Sequence, residues 1–411
     1  MAKRIILLGT FKQTLTAVRS LGRAGMHVTL ARFGGTPAYP ERSRFATDHL
    51  SFGDCRDTPS FIDALETQLQ DSNPQDTYLF PVGELSLERV ASAYERFQDR
   101  ATLVMPDAKT ALNCLDKTFV HAVASELGLP LPETFSYTNT ADWQTSANAI
   151  GFPVLIKRKT SQRLVDGKKA LICRNPVELA RFLLDGNDPE PQSLLLQKYF
   201  EGIRHNCHFA ALNGELVTFF QQKVLRTDTH DGTGYGVEGV SVAPNSQLRD
   251  LTARLVRRLD YSGVGCVQFL VNEATGECAF LEINPRLDAT CALPLLCGVD
   301  FPQLAVACAA YRAHGGTMPV GPASYPVGVG AYWMLGDLFG LLHALNHRKI
   351  GLTGALYWLG RTALACLSYR NHMTWSWSDP LPTLQVYAES FALVALRPLR
   401  RIRSLLIRLP A

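Results

Sequence analysis

The sequence predicts an α/β protein with an N-terminal parallel sheet and a mainly helical C-terminal segment. Residues 4–9 form an apolar run that ends in glycine, an amphipathic stretch follows through Ala17 and Leu21, and a second apolar run follows at 27–31. This order is a strand–helix–strand unit, whose two strands pair in parallel. The last hundred residues carry four of the five tryptophans in helix-like patterns. A chain of 411 residues predicts two to four lobes.

The remaining elements are predicted from periodicity and turn residues. Predicted strands lie at 78–81, 102–106, 152–157 and 193–200, and predicted helices lie at 59–70, 84–97 and from 107 past 119. Asn213-Gly214 is a strong hairpin signal between runs 208–212 and 215–221. The loop 227–239 is rich in Gly, Thr and Asp, which suits a mobile segment over a site.

Composition excludes several classes of protein. Hydrophobic residues make up 46% and charged residues 19%, as in a globular protein. The net charge is +4 and basic residues do not alternate with aromatic ones, which argues against nucleic-acid binding. The ten cysteines form no Cys-x-x-Cys pair, which predicts reduced thiols and a cytoplasmic protein. Prolines interrupt the longest charge-free region, 317–336, so no transmembrane helix is predicted there.

The sequence also lacks the motifs of two common kinds of site. Only Gly9 of a dinucleotide-binding Gly-x-Gly-x-x-Gly pattern is present, which disfavours NAD binding. No Gly-x-Ser-x-Gly pattern marks a serine nucleophile, and no cysteine is paired with a histidine by motif.

A predicted hairpin at 267–284 places three oxygen ligands together. If Asn272 faces Cys278 across the turn, Gln268 lies opposite Glu282. Alternation puts Asn284 on the same face as Glu282, with Leu281 and Ile283 on the other face. One carboxylate and two amide oxygens suit Mg²⁺ that is also bound to phosphates. The alternative is an exposed hairpin whose polar face meets only water.

The run 281–286, Leu-Glu-Ile-Asn-Pro-Arg, together with Gln268 upstream, resembles the metal signature of the ATP-grasp superfamily. The Gln268, Glu282 and Asn284 trio is similar to the carbamoyl-phosphate synthase large-chain type and its carboxylate–amine ligase relatives. Further landmarks follow in the expected order over roughly residues 1–312. The resemblance implies four regions: a pre-ATP-grasp α/β domain at 1–110, a small lobe at 111–192, a large lobe with the metal site at 193–312, and a C-terminal helical extension at 313–411.

The resemblance also implies an ATP site between the lobes. Lys117 and Lys157 would point at the nucleotide phosphates, although Lys117 alone would suit a surface helix. Lys157 ends an apolar strand, where a charge is costly unless an anion binds it. The run 197–201 looks like the interlobe hinge, where Gln197, Lys198 and Phe200 would contact the adenine.

Four further assignments complete the expected site. His205 replaces the usual ribose-binding glutamate, with a solvent histidine as its alternative. Arg286 would meet the transferring phosphoryl group or an acyl phosphate, because its fork matches such oxygens. Arg226 is a second catalytic candidate, with an exposed strand-end arginine as its alternative. The lid region 160–169 holds one glycine, where the family commonly has a Gly-rich phosphate loop.

These features imply an ATP-grasp ligase that uses ATP and Mg²⁺ or Mn²⁺. A substrate carboxylate would attack the γ-phosphate, and an amine would capture the acyl phosphate to form an amide. A bicarbonate-phosphorylating enzyme and a non-catalytic ATP-binding partner remain open as alternatives, and so does homodimer formation. Residues 392–409 form a basic amphipathic pattern that fits either peripheral contact with the inner face of the membrane or packing against the protein itself.

Overall fold

The computed structural model describes residues 3–32, 39–52, 57–137, 143–159, 165, 170–184 and 193–390. These residues form three sheets with helices between and around them. The α/β architecture, the N-terminal parallel sheet and the helical C-terminal segment are as predicted. Most of the lid region 160–169 and the whole basic stretch 392–409 lie outside the described residues.

The N-terminal region is a five-stranded parallel sheet in the order β3-β2-β1-β4-β5. Its elements are β1 (Arg4–Leu8), α1 (Lys12–Arg23), β2 (His27–Arg32), a 3₁₀ turn (Tyr39–Arg42), β3 (Asp48–Ser51), α2 (Thr58–Gln68), β4 (Thr77–Pro81), α3 (Glu84–Ser92), α4 (Tyr94–Phe97) and β5 (Thr102–Leu103). The central strands are buried on both faces, which explains their unbroken apolar sequence. Two predictions were too long: the helix at 84–97 is divided at Ala93, and the strand at 102–106 is only two residues.

The predicted single helix after residue 107 is two helices, α5 (Ala108–Leu115) and α6 (Lys117–Glu126). They are separated at Asp116, whose backbone is extended with ψ of 106°. The Asp116 carboxylate accepts hydrogen bonds from the amides of Thr118 at 2.8 Å and Phe119 at 3.3 Å. Asp116 is therefore an N-cap, a position that aspartate favours, and Lys117 is the first residue of the new helix.

The second sheet is antiparallel, with four strands in the order β6-β9-β7-β8. Its elements are β6 (Thr134–Ser136), α7 (Trp143–Ile150), β7 (Val154–Arg158), β8 (Ala170–Cys173), α8 (Pro176–Leu184) and β9 (Leu194–Lys198). β9 pairs with β6 and β7 in the small sheet, although the sequence placed residues from 193 onward in the large lobe. The sequence pattern does not show which strands pair with each other, because tertiary packing determines the partners of a strand.

The third sheet has six antiparallel strands in the order β14-β13-β10-β11-β12-β15. The first five strands and their helices are β10 (Ile203–Leu212), β11 (Glu215–Thr227), β12 (Gly236–Ser241), α9 (Ser246–Arg258), β13 (Gly263–Val271), β14 (Cys278–Asn284), α10 (Ala292–Leu296) and α11 (Phe301–His314). Asn213 and Gly214 have φ values of 48° and 75°, as a type I′ hairpin turn requires. The predicted Asn-Gly hairpin is confirmed.

The C-terminal region packs back onto the large sheet. It contributes the edge strand β15 (Gly330–Tyr332), then α12 (Met334–Asn346), α13 (Leu352–Ser368) and a helical stretch at 381–390. Asp379 fixes this region to α1, because its carboxylate accepts a hydrogen bond from Arg19 Nε at 2.8 Å in a buried ion pair. Among the described residues, no helix combines the length and apolar character that a bilayer span requires.

Candidate active site

The hairpin of β13 and β14 brings the three predicted oxygen ligands together. Near the turn, Val271 lies opposite Cys278, one position away from the predicted register. A β-bulge between Gln268 and Phe269 restores the expected pairing, so Gln268 lies opposite Glu282. The extra residue of such a bulge disturbs strict alternation. Leu281 accordingly lines the same cavity as its neighbour Glu282, which corrects its predicted position on the opposite face.

The three side chains present oxygen atoms to one space. Asn284 Nδ2 donates to Glu282 Oε1 at 3.1 Å, and Gln268 Nε2 donates to Asp288 Oδ2 at 3.4 Å. Both amide nitrogens are thus held by carboxylates, and the amide oxygens remain as possible ligands. One carboxylate and two amide oxygens match the preference of Mg²⁺ for hard oxygen donors, so the residues present fit this ion.

These side chains lie in a cavity of about 210 Å³ between the small and large sheets. The predicted site residues that line it are Lys117, Lys157, Gln197, Lys198, Phe200, Gln268, Glu282, Asn284 and Arg286. The loop between β11 and β12 also contributes, from Asp231 to Gly236. The cavity therefore joins three sequence motifs that lie up to 169 positions apart in the chain.

Two lysines form the cationic part of the wall. Lys157 is 5% exposed on β7, and Lys117 Nζ donates to the carbonyl of Arg158 at 3.4 Å. Burial and, to a smaller extent, the charge of Lys117 lower the pKa of Lys157 to about 7, although Glu282 opposes both. The charges of the buried Lys157 and the partly exposed Lys117 repel each other, and a phosphate group bound between them would relieve this repulsion.

The strand β9, which pairs with β7, and the residues after it form another part of the wall. Lys198, Tyr199 and Phe200 line the cavity together with Gln197. The side chain of Gln197 is held from the small sheet, because its Nε2 donates to Thr134 Oγ1 at 2.7 Å. An aromatic side chain beside backbone amides suits a flat heterocycle such as adenine.

Comparison with known proteins agrees with this geometry. Residues 116–310 match the family described as "Carbamoyl-phosphate synthase L chain, ATP binding domain". The chain is 29% identical over 208 residues to N5-carboxyaminoimidazole ribonucleotide synthase of Pseudomonas aeruginosa, which covers 49% of this chain and 54% of the relative. Residues 116–310, just under half of the chain, are therefore similar to an ATP-grasp domain.

Solved structures share the ATP-grasp fold with this chain. An ADP complex of N5-carboxyaminoimidazole ribonucleotide synthetase aligns with a TM-score of 0.63 at 15% identity, over 84% of this chain and 85% of that one. The biotin carboxylase domain dimer of Hydrogenobacter thermophilus 2-oxoglutarate carboxylase aligns with a TM-score of 0.63 at 16% identity, over 80% and 73% of the two chains. That structure holds MgADP, ADP and bicarbonate.

The predicted ribose ligand His205 does not line the ATP-grasp cavity. Its Nδ1 lies 2.8 Å from Gln221 Nε2, and burial lowers the pKa of its imidazole to about 4. The cavity wall instead includes Arg204 and Asn206, its neighbours on β10. Alternation along the strand places these two on one face and His205 on the other. The prediction for His205 is therefore not supported by its position.

Arg226 is also absent from the cavity wall that the described residues form. Its Nε donates to Glu238 at 2.6 Å, and its two terminal nitrogens donate to Asp337 at 3.2 and 2.7 Å. Asp337 is fully buried on α12 and also accepts hydrogen bonds from Trp358 and Thr362. The position of Arg226 thus contradicts a catalytic role and indicates a structural one.

Arg286, by contrast, lies where the N-terminal sheet meets the cavity. Its Nη2 donates to Glu84 at the start of α3 at 3.2 Å, while its Nε is buried without a hydrogen-bond partner among the described residues. Burial disfavours the charged guanidinium, but Glu84 and Asp288 outweigh this and raise the pKa of Arg286. An arginine that lines a cavity and has N–H donors left unpaired is suited to binding an anion.

The polar residues below the three predicted oxygen ligands were not predicted from the sequence. Asp288 accepts hydrogen bonds from the Thr290 amide at 2.8 Å and from Asn206 Nδ2 at 3.3 Å. Burial would raise the pKa of Asp288, but the charge of His208 and the Thr290 hydrogen bonds lower it to about 2. Asp288 stands two residues after Arg286, so its position next to the run 281–286 could have identified it as a candidate site residue.

A second missed residue is Lys12 at the start of α1. Its side chain is 1% exposed, its Nζ donates to the carbonyl of Gly236 at 3.2 Å, and it lies 3.7 Å from the centre of the Trp333 ring. Burial lowers the pKa of Lys12 to about 7 although Asp288 and Asp228 oppose the change. Lys12 thus connects the N-terminal sheet to the loop at the cavity and to the C-terminal region.

Proposed function

We propose that the protein is an ATP-dependent carboxylate–amine ligase that forms an amide through an acyl phosphate, releasing ADP and phosphate. The observation that carries this proposal is the meeting of Gln268, Glu282 and Asn284 with two lysines and Arg286 in one cavity. Since the chain spans 54% of the Pseudomonas relative, the activity of that whole protein is not transferred directly.

The proposed role of each residue in the cavity follows from its charge and polarity. Lys117 and Lys157 would bind the phosphate tail of ATP, and the wall formed by Lys198 and Phe200 would hold the adenine. Gln268, Glu282 and Asn284 would hold Mg²⁺ or Mn²⁺, which supplies positive charge to the phosphate oxygens when bound. This arrangement fits phosphoryl transfer, in which positioning and charge neutralisation provide most of the catalysis.

Arg286 supports activation of a carboxylate at the side of the cavity that faces the N-terminal sheet. Its buried guanidinium is oriented by Glu84 and would bind the substrate carboxylate or the acyl phosphate formed from it. The substrate oxygen forms a bond to the γ-phosphorus while the bond to the β-phosphate oxygen breaks. The amine then displaces the phosphate from the acyl carbon. Arg226, held by Glu238 and Asp337, has no part in this proposal.

Phosphorylation of bicarbonate is the second candidate. It is favoured by the solved biotin carboxylase domain with MgADP and bicarbonate, which shares the fold of this chain. Arg204 and Arg286 line the cavity, and they would bind bicarbonate as readily as a larger carboxylate. A requirement for bicarbonate in ADP release, with no effect of added acids, would support this candidate over the first.

A screen of carboxylic acids and amino acids for phosphate release from ATP tests the proposal. We expect one acid together with one amine to stimulate release, with ADP and an amide formed in equal amounts. Glu282→Gln should lose the stimulated release, and Glu277→Gln in the turn of the same hairpin is the matched control. Tight ATP binding without release under every condition would instead indicate a non-catalytic partner protein.

For partners and location, we propose small-molecule substrates, a homodimer and a cytoplasmic protein in peripheral contact with the inner face of the membrane. The solved biotin carboxylase domain is a dimer, which motivates the first test of assembly. Light scattering of the full chain at several concentrations would measure its mass. A monomer at every concentration would contradict the dimer proposal.

A further inference from the structure

The helix α13 has one face packed and one face open to solvent. Its inner face carries Ala355, Trp358, Thr362 and Ala365, which are buried against the protein. Trp358 Nε1 and Thr362 Oγ1 donate to Asp337 at 2.6 and 2.9 Å. These buried hydrogen bonds fix the rotation of the helix, so its opposite face is held outward.

The outer face of α13 is apolar along its whole length. Leu352, Leu356, Leu359, Leu364 and Leu367 are exposed, with fractions between 46% and 86%. Their spacing of three to five residues places them on one side of the helix. Arg361 is the one charged residue in the 17-residue helix, and it pairs with Glu238 at 3.7 Å. This surface is about 26 Å long at 1.5 Å per residue.

The neighbouring helix α12 also carries exposed apolar side chains. α12 exposes Phe339, Leu342 and Leu345, while its inner residues Leu341 and Ala344 pack against α13. Soluble monomers rarely expose this many large apolar side chains in neighbouring positions, and such patches mark interaction sites.

Exposed basic residues flank α13, with Arg348 and Lys349 before the helix and Arg370 after it. Residues 338–411 contain nine basic and two acidic residues, a net charge of +7 in a chain whose total is +4. One of the two acids, Asp379, is buried in its pair with Arg19. The five arginines of 391–411 continue the basic character directly after the last described residue. The preceding residues 1–337 are net negative, so the excess of basic residues belongs to the C-terminal part of the sequence.

We propose that the outer face of α13 docks on an anionic lipid surface. The exposed leucines would enter the boundary between headgroups and acyl chains, and the surrounding basic residues would meet the lipid phosphates. A second copy of the chain fits less well, because it would bring two surfaces of net positive charge together. The proposal deepens the peripheral membrane contact proposed above and does not depend on ligase chemistry.

Vesicle sedimentation of the full chain without ATP tests this surface. The vesicles are phosphatidylcholine alone and an equal mixture of phosphatidylcholine and phosphatidylglycerol. We expect binding to the mixed vesicles at about 0.1 M salt and weaker binding at about 1 M, where charges are screened beyond about 3 Å. Replacing Lys349 and Arg370 by glutamine should weaken binding about fivefold for each charge removed.

A triple variant tests whether vesicle binding depends on the exposed leucines of α13 or on exposed apolar side chains in general. Leu352, Leu356 and Leu367, which are 60% to 86% exposed, are changed to serine, and we expect binding to fall about a thousandfold, roughly tenfold for each leucine. The matched control changes Val177, Val320 and Val327, which are 58% to 82% exposed elsewhere, and should bind like the unaltered chain. Circular dichroism checks that both variants fold.

Three results would overturn the proposal. The first is equal binding to both kinds of vesicle, and the second is equal loss in the leucine and valine variants. The third is a dimer in the absence of lipid that the leucine variant dissociates, with no vesicle binding by the unaltered chain. That last result would assign the face to a second copy.

Discussion

Replacing Glu282 by glutamine should remove the part of ATP affinity that depends on Mg²⁺. The change is isosteric, and the new amide oxygen can still accept the hydrogen bond from Asn284. Two unit charges 4 Å apart contribute about 1 kcal/mol in water and about 4 kcal/mol at an effective dielectric constant of about 20. Glu282 is half-buried, so we expect a loss of about 3 kcal/mol, or about a hundredfold in affinity for Mg-ATP.

Isothermal titration with ATP, with and without Mg²⁺, measures this effect without knowledge of the other substrates. The unaltered chain should bind Mg-ATP more tightly than ATP, and the variant should bind both about equally. Glu277→Gln, on the exposed turn of the same hairpin, should keep the full Mg²⁺ effect. An unchanged Mg²⁺ effect in the Glu282 variant, with a normal unfolding curve, would refute the assignment of this carboxylate.

Three other predictions address the lysine, the buried aspartate and the packed glycine. ATP affinity should fall by up to about tenfold per pH unit above pH 7, because Lys157 loses its proton there. In the Lys157→Met variant, calorimetric titration should show weaker ATP binding that does not depend on pH in this way. If the pH dependence persists in the variant, the role of Lys157 is contradicted. Asp337→Asn should lower the free energy of unfolding in urea by about 3 to 5 kcal/mol, because Arg226 loses its buried partner, whereas an unchanged midpoint would show that the pair is not needed. Gly340→Ala should lower the midpoint of thermal unfolding, because the new Cβ would meet the backbone carbonyl of Asp228. Gly360→Ala, where the new Cβ meets open space, should raise the free energy of unfolding by about 0.5 to 1 kcal/mol. Equal changes in stability in the two variants would contradict the close packing of Gly340 against Asp228.

The sequence predicted the metal-facing trio because local rules were sufficient there. Alternation along a strand and the length of one hairpin relate Gln268, Glu282 and Asn284 without reference to the rest of the chain. Even so, the turn register was off by one position, and the bulge at Gln268 compensated. A bulge depends on packing on both sheet faces, so neither it nor the resulting position of Leu281 could be derived from the pattern.

His205 and Arg226 show where sequence reasoning fails. Both belong to strands of the large sheet whose two faces carry polar residues, so alternation could not say which face meets the cavity. The fold decided this, because α9 covers the face of His205 and α12 offers Asp337 to Arg226. Lys12 was missed for a related reason, since its partners Gly236 and Trp333 are more than 220 positions away.

The sequence by itself determined the parallel opening sheet and the Asn-Gly hairpin, because each depends on residues close together in the chain. Only the tertiary structure decided which strand joins which sheet, which arginine reaches the cavity and which face of α13 is left open. Contacts between distant segments make those choices, and their free energy depends on the shapes that meet rather than on local residue patterns.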